Sequence, residues 1–252
     1  MDGRIDVELE AGVLSLRMNR PEKKNALTDA MYHALADAME GAESDDEVGA
    51  ILLLGAGGNF TTGNDIADFL AAAQGGGLTG ERGVNRFLMA QVEGTKPLVA
   101  AVEGLAVGVG ATTLLQCDLV YAAESADIRT PFVDLGLVPE NASSLLGPRI
   151  MGHPKAFELL ALGEPFDARR AYDAGIANRV VPAAELEAVA RDAAARLAAK
   201  PREALAITRR LLRGDPEAVK AVSVEESRLF AERILSEEAR SAFMGFMNRK
   251  AG

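Results

Sequence analysis

The sequence predicts an α/β protein in which strands and helices alternate through about residue 130 and helices dominate afterwards. Three observations carry this reading. Val48–Leu54 and Leu98–Val102 are unbroken apolar runs, the pattern of strands buried on both faces. Each run ends in a glycine-rich turn: Gly55, Gly57 and Gly58 after the first, Gly104, Gly108 and Gly110 after the second. Beyond Pro182 the spacing of apolar residues is almost entirely helical.

The elements follow in order. Ile5, Val7 and Leu9 alternate with charged residues, Gly12 turns the chain, and Val13, Leu14, Leu16 and Met18 continue the alternation, so residues 4–18 predict a β-hairpin. Residues 19–27, NRPEKKNAL, read as a loop carrying Lys23 and Lys24. Thr28 is a suitable N-cap for a helix whose stripe is Met31, Leu35, Ala38 and Met39. FTTGNDI, residues 60–66, is a second glycine-bearing loop leading into a short helix, with Asp65 as its expected cap. Ala71–Gly80, with Gly75, Gly76, Gly77 and Gly80, predicts a mobile loop. Residues 81–93 predict an amphipathic helix ended by Lys96-Pro97.

Leu98–Ala122 then reads as buried strand, glycine turn, internal helix and second buried strand. The segment Ala111–Cys117 has almost no polar face, so a helix there must be interior. Ala126–Thr130 predicts a short strand and Pro131–Pro139 a turn-rich apolar segment. Glu140-Asn141 precedes a helix that Asn141, Ser143 or Ser144 can cap. Later helices are expected at 153–162 and 168–174, along the stripe Leu186, Val189, Ala193 and Leu197 that ends before Pro201, at 203–212, after Asp215-Pro216 and over 236–249, with a short extended piece at Val180-Val181.

Composition narrows the function. A 252-residue chain, 48% hydrophobic and 25% charged, can bury a large core and has the balance of an ordinary globular protein. A net charge of −10 argues against nucleic acid or an anionic membrane as the main partner. A single cysteine, Cys117, excludes a disulfide framework and fits a reducing cytoplasmic setting. The acidic N-terminus has no apolar signal core, and no run reaches the length of a transmembrane helix.

The common catalytic patterns are missing. His33 and His153, the only histidines, read as surface or cap residues, and neither a G-x-S-x-G elbow nor a P-loop lysine is present. Gly104, Gly108 and Gly110, with Glu124 about 20 residues on, partly imitate a dinucleotide fingerprint. That motif sits mid-chain, and none of Tyr32, Tyr121 and Tyr172 begins a Tyr-x-x-x-Lys relay. The better reading pairs the two glycine loops, each leaving a buried strand and entering a helix, so that both aim backbone N–H groups at one point as an oxyanion hole.

NRPEKKNAL, F-x-x-G-x-D-I, KPLVAAVEGLAVGVG, CDLVYA, PFVDLGLVPE and FDARRAYDAGIANRVVP, in this order, resemble the crotonase (enoyl-CoA hydratase/isomerase) superfamily over essentially the whole chain. The resemblance implies a spiral of ββα units over residues 1–195 carrying an acyl-CoA site. It also implies a C-terminal helical region, 196–252, that assembles trimers or dimers of trimers. The substrate is an acyl-CoA thioester, with coenzyme A as part of the substrate and no separate cofactor. Its thioester oxygen is expected between the backbone N–H groups of Thr62 and Val109. Lys24, Ala26, Gly63, Asp65, Ile66, Gly108, Phe132 and Phe246 are expected around the substrate. Phe243 and Arg249, on the last helix with Phe246, are candidates to cover coenzyme A.

Hydratases of this family use two glutamates. Here those positions hold Thr112 and Phe132, and neither can act as acid or base. A single carboxylate, Glu140 in LGLVPENASS, instead matches the position of the glutamate in peroxisomal-type Δ3,Δ2-enoyl-CoA isomerases. Asp134, the other nearby carboxylate, reads as a turn residue. The resemblance leaves open a hydratase-like lyase, a hydrolase, a dehalogenase or a non-catalytic coenzyme A-binding protein.

Overall fold

The computed structural model describes residues 4–65 and 82–251, with side chains through residue 245. β1 (Arg4–Glu10) and β2 (Val13–Asn19) pair antiparallel as the expected hairpin. β2 is then joined in parallel by β3 (Ala50–Gly55), β4 (Leu98–Val102), β6 (Leu119–Ala123) and β9 (Arg179–Val181), giving the order β1-β2-β3-β4-β6-β9. A second, three-stranded sheet runs β5-β7-β8, from β5 (Leu105–Val107), β7 (Asp127–Arg129) and β8 (Phe166–Asp167). Single bridges, Leu27 to Asn64 and Thr61 to Ala106, continue that layer.

The chain therefore repeats one path. It leaves a strand of the large sheet, crosses the smaller layer, and enters a helix. β2 passes Leu27 into α1 (Asp29–Ser44), and β4 passes β5 into α3 (Val109–Gln116). The helix α2 (Gly83–Glu93) precedes β4. This is the predicted α/β spiral of ββα units.

The predicted two-faced strands have two-faced partners. Ile51 and Leu53 of β3 join one core with Leu35 and Met39 of α1, Leu88 of α2 and Leu114 of α3. Leu52 and Leu54 point to the other face, against Leu186, Ala190 and Ala194 of α7 (Ala183–Ala198). The strand period of two thus divides a single apolar run between two cores. All eight residues of α3 are buried, as its missing polar face requires.

Beyond β7 come α4 (Ser143–Met151), α5 (His153–Leu160) and α6 (Ala168–Asp173). The C-terminal helices are α8 (Arg202–Arg213), α9 (Pro216–Ile234) and α10 (Glu237–Ala251). Asp118 ties α8 to the start of β4, accepting from Leu98 N at 2.8 Å and from Arg209 Nε at 2.7 Å. Among the described residues, no helix is long and apolar enough to cross a membrane.

Several local readings change. The glycine turn after β4 is not one tight turn, because β5 intervenes between Gly104 and Gly108. The strand-turn-helix geometry of a dinucleotide fingerprint is therefore not present there. Cys117 lies at the C-cap of α3 rather than inside it. β8 was not apparent from its two-residue pattern. The Gly75–Gly80 stretch and the helix expected after Asp65 lie outside the described residues.

Candidate active site

The two glycine loops do meet. Gly63 has a φ of +79°, and a Cβ there would lie 2.7 Å from Val107 O, with Val109 N at 3.8 Å, so only glycine lets the loops approach this closely. Gly110 is equally tight, since a Cβ would lie 2.5 Å from Thr61 Cγ2. Gly108, with φ +57°, turns the chain into α3, and Val109 becomes its first helical residue.

The earlier loop is held from outside. Asn25, fully buried with φ +57°, donates its Nδ2 to Ala56 O at 2.8 Å and to Asn59 O at 2.7 Å, and accepts from Arg20 N. Thr61 Oγ1 donates to Asn25 O at 2.6 Å and accepts from Gly63 N at 3.0 Å. Arg20 Nη1 reaches Asp65 Oδ2 at 2.6 Å and Ala26 O at 3.1 Å. Asp65 and Ala26 thus share an arginine that fastens the loop.

These bonds decide which amides are available. Thr62 N–H donates to Lys24 O at 3.1 Å, and its hydroxyl lies against the Lys23 and Lys24 carbonyls. Thr62 therefore does not supply the expected donor. Leu27 N donates to Gly63 O, and Asp65 N to Leu27 O, which turns the Asn64 N–H away from Leu27. Among the described residues, Asn64 N–H and Val109 N–H donate to no acceptor. Val109 is left so because the first amides of a helix have no intrahelical partner.

Beside Asn64 is a cavity of about 90 Å³ lined by Leu27, Tyr32, Asn64, Asp65, Arg82, Leu88, Glu140 and Phe230, among others. Glu140 is only 5% exposed. Its Oε1 accepts from Thr112 Oγ1 at 3.1 Å, so the residue at the first hydratase position contacts the carboxylate instead of replacing it. Burial pushes the Glu140 carboxyl up to about 7, against the Thr112 hydrogen bond that favours ionisation and with the charge of Glu226 adding to the rise. Tyr32, on α1, donates its hydroxyl to Asn64 Oδ1 at 2.6 Å. Burial, and then the charge of Glu140, hold its phenol well above the ordinary range.

The turn carrying Glu140 is strained and clamped. Asn141 and Ala142 both have left-handed backbones, φ +62° and +56°, a costly pair without glycine. Gln116 Nε2 donates to Asn141 O at 2.9 Å, and Arg213 Nη2 in turn donates to Gln116 Oε1 at 2.6 Å. None of the expected caps serves α4: its N-cap is Ala142, and the Ser144 amide donates to Glu226 Oε1 of α9 at 2.9 Å.

The family model described as Enoyl-CoA hydratase/isomerase matches residues 8–251. The chain belongs to the enoyl-CoA hydratase/isomerase family. Among its relatives is rat enoyl-CoA delta isomerase 2, 36% identical over 248 residues, covering 97% of this chain and 63% of the relative. The chain thus spans somewhat under two thirds of that protein's length. 4-Chlorobenzoyl coenzyme A dehalogenase-1 from an Arthrobacter species is 31% identical over 232 residues, covering 89% of this chain and 83% of that one. A crystal structure of an enoyl-CoA hydratase/isomerase from Pseudoalteromonas atlantica superposes with a TM-score of 0.92 at 42% identity, covering 97% of both chains.

The other expected site residues scatter. Lys24 is exposed on the loop in front of Thr62. Phe132 is buried and does not line the cavity; it stands behind Phe230, edge-on with ring centroids 6.5 Å apart. Phe243 is buried in the core of its own chain. Ile66 and the side chains of Phe246 and Arg249 lie outside the described residues. His33 sits at the surface between Asp29 and Arg86, and His153 is exposed. Asp134 is an exposed residue of a 3₁₀ turn, Val133–Leu135. Sequence reasoning missed Asn64, Tyr32 and Glu226; the Asn in F-T-T-G-N-D-I was the one signal available for the first.

Proposed function

We propose that this protein is an acyl-CoA isomerase that moves the double bond of a 3-enoyl-CoA to the 2-position. The observation that carries the reading is Glu140, a buried carboxylate lining the same cavity as Asn64, whose backbone amide, like that of Val109, donates to no acceptor among the described residues. The thioester oxygen binds between Asn64 N–H and Val109 N–H. Glu140 in its ionised form takes the proton from C2, and the electron pair delocalises into a dienolate whose negative oxygen the two amides stabilise. The same carboxyl returns the proton to C4, leaving the double bond between C2 and C3 and Glu140 ionised again. Each amide donor contributes on the order of 3 kcal/mol in the transition state.

A carboxyl near 7 suits both halves of this cycle, because one group must accept and then give back a proton at neutral pH. Water addition is less well served. It needs a second carboxyl to orient the water, and Thr112 and Phe132 hold the positions where hydratases carry their glutamates. The test is to present 3-hexenoyl-CoA and crotonyl-CoA separately to the purified protein. Isomerisation of the first with little hydration of the second is expected; rapid hydration without isomerisation overturns the proposal.

A further inference from the structure

Helix α4 begins directly after the Glu140 turn without a cap of its own. Its N-cap residue, Ala142, has no side chain able to accept from the first amides, and Ser143 Oγ finds no partner among the described residues. The acceptor comes from α9, 82 residues away: Glu226 Oε1 takes both the amide and the hydroxyl of Ser144. Glu226 is itself buried, 6% exposed, and its second oxygen is unpaired among the described residues. The next turn of the same helix, Ser227, Phe230 and Ala231, forms one wall of the cavity.

We propose that Glu226 is a positioning residue for Glu140: by capping α4 from α9 it fixes the left-handed Asn141–Ala142 turn and so aims the Glu140 carboxylate into the cavity. This rests on Glu140 being the base of the proposed isomerisation. An acceptor at a helix start stabilises the helix, and here the stabilised helix start adjoins two strained residues. Without the cap, the turn can relax and carry Glu140 with it. A carboxylate favours that place for a second reason, since a helix N-terminus attracts negative charge.

The two carboxylates also feel each other. Glu140 is faced by Thr112 of α3, Tyr32 of α1 and Glu226 of α9, with Asp29, Asp65 and Arg82 on the cavity wall. Glu226 is faced by Ser143, Ser144 and the Ala142 amide. Removing the Glu226 charge therefore makes Glu140 easier to ionise.

The test uses the full chain labelled with carboxyl-¹³C glutamate, following Glu140 by NMR titration and assigning its signal by its loss in Glu140→Gln. Glu226→Gln keeps an acceptor for Ser144 while removing the charge, and the Glu140 midpoint is expected below that of the unsubstituted protein. Glu226→Ala removes the cap as well. Its Glu140 midpoint is expected lower still, with kcat for 3-hexenoyl-CoA reduced about 10–100-fold, KM changed much less, and Glu226→Gln recovering most of the rate. If Glu226→Ala does not fold, Glu226→Asp, which keeps the charge but shortens the reach to Ser144, takes its place. A Glu140 midpoint in Glu226→Ala equal to that in Glu226→Gln, or one unchanged in Glu226→Asp, overturns the proposal. The titration needs no turnover, so a protein inactive on 3-hexenoyl-CoA would defeat the isomerase reading and leave this result intact.

Discussion

Replacing Glu140 with glutamine should make the protein more stable at alkaline pH, and by a calculable amount. The carboxyl titrates near 4.5 when solvated and near 7 in the folded chain, because burial disfavours its charge. Between these values the native state holds a proton that the unfolded state has released. Stability of the unsubstituted protein therefore falls as pH rises through this window, and levels off above it. At about 1.4 kcal/mol per pH unit, the full loss is on the order of 3 kcal/mol. Glutamine cannot ionise, so the variant avoids this loss. The assay is urea unfolding of both proteins from pH 4 to pH 8.5, plotting the stability of Glu140→Gln minus that of the unsubstituted protein. Any constant offset reports lost packing or the altered Thr112 contact; only the slope reports ionisation. The difference should rise by about 3 kcal/mol across the window and be flat on both sides. A flat difference throughout, or one that falls with pH, would refute the placement of Glu140 as a desolvated carboxyl.

Three further outcomes are expected. Thr112→Val removes the hydrogen bond that favours ionised Glu140; the acidic limb of kcat/KM, expected near pH 7 for the unsubstituted protein, should move to higher pH, as a pH–rate profile on 3-hexenoyl-CoA would reveal. Gly63→Ala places a methyl 2.7 Å from Val107 O on a residue at φ +79°; a loss of about 1–3 kcal/mol in urea unfolding is expected, with kcat falling more than KM rises. Leu211 and Leu212 of α8 are 74% and 83% exposed in the isolated chain. If the trimer implied by the family resemblance covers them, the double aspartate substitution should lower the mass seen in sedimentation, and an unchanged mass assigns the assembly surface elsewhere.

Much of this architecture could be read from pattern alone, because burial on both faces leaves an unmistakable apolar run. Val48–Leu54 became β3 with its alternate residues in two different cores, and the polar-free segment after Gly110 became a fully buried helix. Glu140 was legible because it is the one carboxylate between the apolar PFVDLGLVP segment and a helix. Which amide of the first loop is left without an acceptor among the described residues was not. Whether Thr62 or Asn64 offers its N–H depends on which one the loop has already used, and the acceptor that uses Thr62 is Lys24, 38 residues earlier. The cap of α4 was illegible for the same reason. Asn141, Ser143 and Ser144 are all good capping residues, but the left-handed turn points them elsewhere and Glu226 arrives from a helix that no local pattern connects to this one. Local chemistry predicted what each segment would become; hydrogen bonds between distant segments decided which atoms remain available for chemistry.

The most direct measurement is the rate at which Glu140→Gln converts 3-hexenoyl-CoA to 2-hexenoyl-CoA, beside the unsubstituted protein at pH 8. A positioned base contributes about 10²–10⁴-fold, so the variant should lose at least a hundredfold in kcat while remaining folded. A folded variant that isomerises within tenfold of the unsubstituted protein would contradict the assignment of Glu140 as the base.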